Sequence, residues 1–213
     1  MNGIVGRKLG MTRLFDEGGK AVPVTVIEAG PCPVLQVRTA ESGTVTVQLG
    51  FGTRKPKRTS KAQAGHAKKA GLEGAPQVLR EIQLPAGSDA PKQGETVTVS
   101  LFQAGELVKV AGVTKGRGFQ GVVHRHHFGG GPATHGNTRH RKPGSISPGT
   151  DPSRIIKGKR MPGHMGAENF TETGLRVIRV DAEKHLLFVQ GAVPGPSEGT
   201  VVIRKQPGRS RYA

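Results

Sequence analysis

Six of the eight histidines in this 213-residue chain lie between positions 114 and 168, among the residues that best imitate a catalytic or cofactor site. Gly116-Arg117-Gly118-Phe119-Gln120-Gly121 matches the dinucleotide pattern G-x-G-x-x-G letter for letter. That pattern works when a strand feeds a glycine turn that opens an apolar helix, with an acidic residue about 20 positions on to hold the ribose. Here Val122-Val123-His124-Arg125-His126-His127 runs into Gly129-Gly130-Gly131, and no Asp or Glu occurs before Asp151. His124, His126, His127, His135 and His140 supply imidazoles, but without Cys or carboxylate partners, and flanking arginines oppose a dication. Cys32, the only cysteine, stands between Pro31 and Pro33 with no basic neighbour, which predicts a buried thiol and excludes an intrachain disulfide. Ser145 and Ser147 share their segment with histidines but have no acid in a triad arrangement. The expectation is no enzyme, no cofactor, no metal and no small-molecule substrate.

The same residues suit a polyanion. Formal net charge is +17, and 78 residues hold +14 of it. Residues 54–76 carry seven Lys/Arg against Glu73, and residues 114–168 carry ten against Asp151 and Glu168. The other 135 residues are nearly balanced, at +3. A near-neutral body with two basic insertions is the pattern of a protein whose insertions enter nucleic acid. In the second insertion glycines let backbone approach phosphate and sugar, cations neutralise phosphates, and the histidines with Phe119 and Phe128 offer planar faces to unpaired bases. It has too little apolar material to offset the entropy of ordering it alone. Doubled back, about 27 residues each way would reach several tens of Å as an extended finger. Pro143-Gly144-Ser145-Ile146-Ser147-Pro148-Gly149 has the chemistry of its tip. In the first insertion, Ser60 is a candidate N-cap for a short alanine-rich helix.

These residues must be positioned by a body that reads as β structure. Residues 23–27, 34–37, 44–49, 96–101, 107–110, 177–180, 186–189 and 200–203 are short, β-branched and bounded by turn formers. Strict alternation in Thr44–Leu49 and Thr96–Leu101 predicts half-buried strands. The expected architecture is mainly β with little helix: residues 1–53, 77–113 and 169–206 forming one β-barrel domain. Residues 54–76 and 114–168 are its basic extensions, and 207–213 a basic tail. No apolar run approaches the roughly 20 residues of a membrane span.

Several runs together resemble bacterial large-subunit ribosomal protein L3. They are Gly6-Arg7-Lys8-Leu9-Gly10-Met11-Thr12-Arg13, Ala29-Gly30-Pro31-Cys32-Pro33-Val34, Thr114 to Val122, Pro143-Gly144-Ser145-Ile146, Lys157-Gly158-Lys159-Arg160-Met161 and Gly191-Ala192-Val193-Pro194-Gly195-Pro196. The likeness runs almost end to end. It implies a translation-protein-type β-barrel, a cytoplasmic location in the ribosome, and primary binding near the 3′ end of 23S rRNA, where assembly is nucleated. It also implies contacts with ribosomal proteins L14 and L19, and a finger reaching toward the peptidyl transferase centre. On that reading the rRNA contacts are Arg54, Lys55, Lys57, Arg58, Lys61, Lys115, Gly116, Arg117, Gly118, Arg125, His126, Arg139, His140, Arg141, Lys142, Lys157, Lys159 and Arg160. The tip near that centre is Gly144, Ser145, Ile146, Ser147 and Pro148. Some relatives carry a methylated glutamine at the position that aligns with Pro148.

Overall fold

A computed structural model describes residues 1–16, 18–41, 43–84, 87 and 90–206; the basic tail 207–213 lies outside them. The chain divides into two compact units, residues 1–113 with 169–213 and residues 114–168. In order, the first unit contains β1 (Gly3–Phe15), β2 (Ala21–Ala29), β3 (Cys32–Thr39), β4 (Val45–Thr53), helix α1 (Lys61–Lys69) and β5 (Pro76–Leu84). Then come β6 (Thr96–Val97) and β7 (Leu107–Val113). The second unit holds β8 (Gly118–Gln120), α2 (Val122–His126) and β9 (Gly163–Met165), after which β10 (Asn169–Asp181), β11 (Leu186–Gln190) and β12 (Thr200–Lys205) return to the first.

Six strands close into an antiparallel barrel in the order β1-β12-β7-β10-β11-β2, with β2 paired back to β1. The fold is thus mainly β with little helix. β3, β4, β5 and β6 are not barrel staves: they form a separate sheet in the order β5-β4-β3-β6. The two sheets share one core. Ile4, Ile27, Val110, Val177, Leu187 and Ile203 from the barrel belong to the same buried cluster as Val34, Val47, Leu49, Ile82 and Leu84 from the sheet. Each such side chain contributes about 1.5–3 kcal/mol on burial, so this cluster is what makes the unit cooperative.

Two runs far apart in sequence are tied together here. The Lys8 side chain, only 9% exposed, sends Nζ to the carbonyls of Val193 (2.8 Å) and Gly195 (3.2 Å). The Lys8 amide donates to the Gly199 carbonyl at 3.0 Å, and the Glu198 amide donates to the Lys8 carbonyl at 2.6 Å. Gly6 lies where β1 crosses close to β2, and a Cβ there would stand 2.5 Å from the Glu28 carbonyl oxygen. Cys32 is fully buried, its thiol donating to the Val5 carbonyl at 3.2 Å, and burial pushes that thiol up to about 12.

The strand expected at 96–101 is corrected. Only Thr96–Val97 pairs, with β3, and Val99–Leu101 turns into a single 3-10 turn. The Thr98 and Ser100 hydroxyls bond to each other at 2.6 Å, while the Phe102 amide closes back on the Val99 carbonyl. Local bonding of this kind competes with a ladder. Val99 is nevertheless fully buried, so its apolar character served the core from a turn.

α1 starts at Ser60, whose hydroxyl accepts from the Gln63 amide while the Gln63 side chain accepts from the Ser60 amide. Ala67 and Ala70 are buried, and His66 donates to Gln48 of β4 at 2.7 Å. The helix therefore docks through small side chains and several polar ties, with Arg54 also donating to Gln63 at 3.2 Å and Gln93 to the Lys69 carbonyl at 3.1 Å.

Candidate RNA interface

Residues 114–168 begin and end at the same place. The Thr114 amide donates to the Glu168 carbonyl at 2.9 Å, and the Glu168 amide returns a bond to the Thr114 hydroxyl at 3.2 Å. β8 and β9 then form a two-stranded antiparallel ribbon with Gly118 opposite Met165, Phe119 opposite His164 and Gln120 opposite Gly163. The glycine-rich run that imitates a nucleotide motif is thus one arm of a ribbon. The α2 that follows has five residues and ends on His127 in the left-handed conformation (φ 58°).

Apolar packing here is slight: among the described residues, Val122 is the only hydrophobic side chain of this unit that is buried. Polar side chains hold the two arms instead. Arg125 sends Nη1 to the Met161 carbonyl at 3.0 Å, and His126 bonds the same oxygen through Nε2 at 3.0 Å. A carbonyl only accepts, so that nitrogen carries the proton. Phe128 is half-buried, its ring 6.1 Å from that of His126. Nδ1 of His140 and Nδ2 of Asn137 both reach the Pro132 carbonyl, at 3.0 and 3.1 Å. Of the residues expected to contact RNA, Arg125, His126 and His140 thus also serve the unit's own structure.

The remainder face solvent. Lys115, Gly116, Arg117, Gly118, Arg139, Arg141, Lys142, Lys157, Lys159 and Arg160 are exposed. Gly118 and Gly144 have positive φ (67° and 78°), and a Cβ at either would meet nothing within 4 Å, so conformation rather than packing within the chain selects glycine there. Gly144, Ser145, Ile146, Ser147 and Pro148 are all exposed. Their turn is held by the Ser147 hydroxyl, which accepts from the Gly149 amide at 3.3 Å, and by the Ser145 hydroxyl, which donates to the Ser147 carbonyl at 3.4 Å.

Charge is handled differently in the two units. In the first, Arg7 pairs with Glu28 at 2.7 Å, Lys205 with Glu106 at 2.9 Å and Arg38 with Glu81 at 3.8 Å. The hydrogen bond to Glu28, and then its charge, hold the Arg7 guanidinium above its ordinary value. A cleft of about 650 Å³ beside this pair is bordered by Glu28, Glu73 and Glu198, carboxylates that repel phosphate. Among the described residues, none of the ten Lys/Arg of 114–168 has a carboxylate within 4.0 Å. Unpaired, exposed cations on a glycine-rich backbone match the chemistry of phosphate contact.

The first basic group forms its own patch within the barrel unit. Lys55, Lys57, Arg58 and Lys61 are exposed, whereas Arg54 is half-buried and donates to Gln63 (3.2 Å) and the Gln77 carbonyl (3.3 Å). Lys68, Lys69 and Arg154 are equally exposed, although their spacing did not single them out. Their signal was simply membership of the two charge-rich segments.

The profile of the family described as Ribosomal protein L3 matches residues 83–210. Relatives named Large ribosomal subunit protein uL3 align along nearly the whole chain. That of Gloeobacter violaceus is 51% identical over 212 residues, covering 98% of each chain. That of Herpetosiphon aurantiacus is 49% identical over 207 residues, covering 96% of each. That of Thiobacillus denitrificans is 50% identical over 205 residues, covering 95% of each. With a closed barrel, a separate basic unit and relatives of this similarity, the chain belongs to the ribosomal protein L3 family.

Proposed function

We propose that this protein is a structural constituent of the large ribosomal subunit that binds 23S rRNA near its 3′ end and nucleates assembly there. Its relatives carry the large subunit in their names, and that role places it in the cytoplasm, in the ribosome, among rRNA and other ribosomal proteins. The part it plays is structural, without catalysis of its own. The observation that carries the rRNA reading is the set of exposed Lys/Arg in 114–168 that have no carboxylate partner among the described residues.

Residues 114–168 act as a finger that runs into folded rRNA toward the peptidyl transferase centre, with Gly144–Pro148 leading. Lys115, Arg117, Arg139, Arg141, Lys142, Lys157, Lys159 and Arg160 neutralise phosphates along it. The patch of Lys55, Lys57, Arg58 and Lys61 adds a second, smaller contact, and L14 and L19 are the neighbouring proteins. Clustered, exposed charge supports the phosphate contacts, and family resemblance supports the finger's destination and its neighbours.

The deciding measurement compares binding to a transcript of the 3′ region of the large rRNA with binding to duplex DNA across a salt series. Tighter binding to the transcript at every salt concentration is expected. Equal affinity for both would replace this reading with a histone-like, sequence-blind one. Steep salt dependence alone does not decide, since any basic protein shows it.

A further inference from the structure

The structure sorts the planar side chains of residues 114–168 into two kinds. Phe128 and His126 lie near each other, half-buried, and His140 is tied to Pro132. Phe119 is different: it is 76% exposed, although it sits on a paired strand. Its direct cross-strand partner is His164, also exposed. Residues directly opposite in an antiparallel ladder project from the same face. The other face carries Gln120 and Met165, both half-buried, and Arg125 lies against Gly163, where a Cβ would stand 2.5 Å from Nη1. One face of the ribbon is therefore covered and the other presents two rings to solvent. Among the described residues, no ring or cation is stacked on Phe119.

An exposed phenylalanine beside an imidazole, with Lys115 and Arg117 just before it and no carboxylate among the described residues paired to either, matches a π-face in a phosphate-attracting field. Bases in a duplex already stack on their neighbours, so the ligand that gains is an unpaired one. We infer that Phe119 and His164 form a stacking platform for an unpaired base of bound RNA. This rests on the rRNA-binding reading and adds to it a position where the protein reads local single-strandedness rather than charge.

The chain has no tryptophan, so Phe119→Trp creates a single emitter at the platform. The full-length variant is titrated with the 3′-region rRNA transcript, with single-stranded oligoadenylate, and with fully paired duplex RNA of the same length. Emission is expected to be quenched by the first two and not by the duplex. Phe119→Ala is expected to bind the transcript about tenfold more weakly, with Phe119→Trp close to wild type. Quenching by the duplex as strong as by the single strand overturns the platform. So does equal quenching at Phe128→Trp, or transcript binding at wild-type affinity with Phe119→Trp emission unchanged. In that last case the rRNA reading stands without the platform. If the wild-type protein shows no preference for the transcript over duplex DNA, the rRNA reading fails and takes the platform with it.

Discussion

The barrel unit and residues 114–168 solve the problem of order in opposite ways. The first buries a continuous aliphatic cluster and pairs several of its charges with carboxylates or carbonyls. The second buries Val122 among its described apolar side chains, joins its arms through Arg125, His126 and Thr114, and leaves its Lys/Arg without carboxylate partners among the described residues. The difference teaches that one region carries its determinants of structure inside itself, whereas the other has the composition of a segment completed by an anionic partner. Such a region is recognised by what it leaves unsatisfied.

The strongest way to break this contrast is to remove the second region. Gln120 and Gly163 face each other in the ribbon, so an Asn-Gly turn can replace residues 121–162. That change deletes eight Lys/Arg. Cooperative urea unfolding should survive, while the slope of log affinity for rRNA against log salt should shrink by up to about 0.9 for each phosphate no longer neutralised. Loss of cooperative unfolding would make the finger part of the core. A smaller effect sharpens the contrast from the other side. Leu187→Ala in the barrel should lower stability by about 2–5 kcal/mol. Ile146→Ala, at a residue 38% exposed, should stay within about 0.5 kcal/mol. Equal shifts in the urea midpoint would erase the distinction.

The effect confined to the narrowest conditions concerns Cys32, because it appears only at high pH. Its thiol is raised from 9.0 to about 12 in the folded protein, so the native state keeps its proton where the unfolded state releases it. Stability from this group is fully present below pH 9 and is lost as pH rises from 9 toward 12. Cys32→Ala should show a shallower decline of stability over that window. An identical decline in both proteins would show that the thiol is not the group involved.

Much of this was legible in the sequence. The β-branched runs marked most staves because alternation and turn residues are local signals. β1 was not marked: Gly3, Gly6, Arg7, Lys8 and Gly10 read as breakers and charges. Yet Gly6 is required by the approach to Glu28, and Lys8 is held by carbonyls more than 180 positions away, facts that exist only once the barrel has closed. β5 was missed because charges interrupt it, its Ile82 and Leu84 being buried against distant strands. At 96–101 the pattern was right about burial and wrong about conformation, since hydroxyl bonding displaced the ladder. For the basic segments, charge segregation was plain in the chain itself. The inward duties of Arg125 and His126 were not, because they depend on Met161, some 35 residues on.

The strand order also sets a timetable. β12 lies between β1 and β7 in the closed barrel, so the first strand in sequence order pairs with the last. The ring cannot close until residues 200–205 have been made, so every stave from β1 onward must wait for them. Residues 114–168, with their net charge of +8, emerge before that moment. During translation the cations of residues 114–168 are therefore present before the strand that completes the barrel, a window in which unfinished barrel strands are exposed.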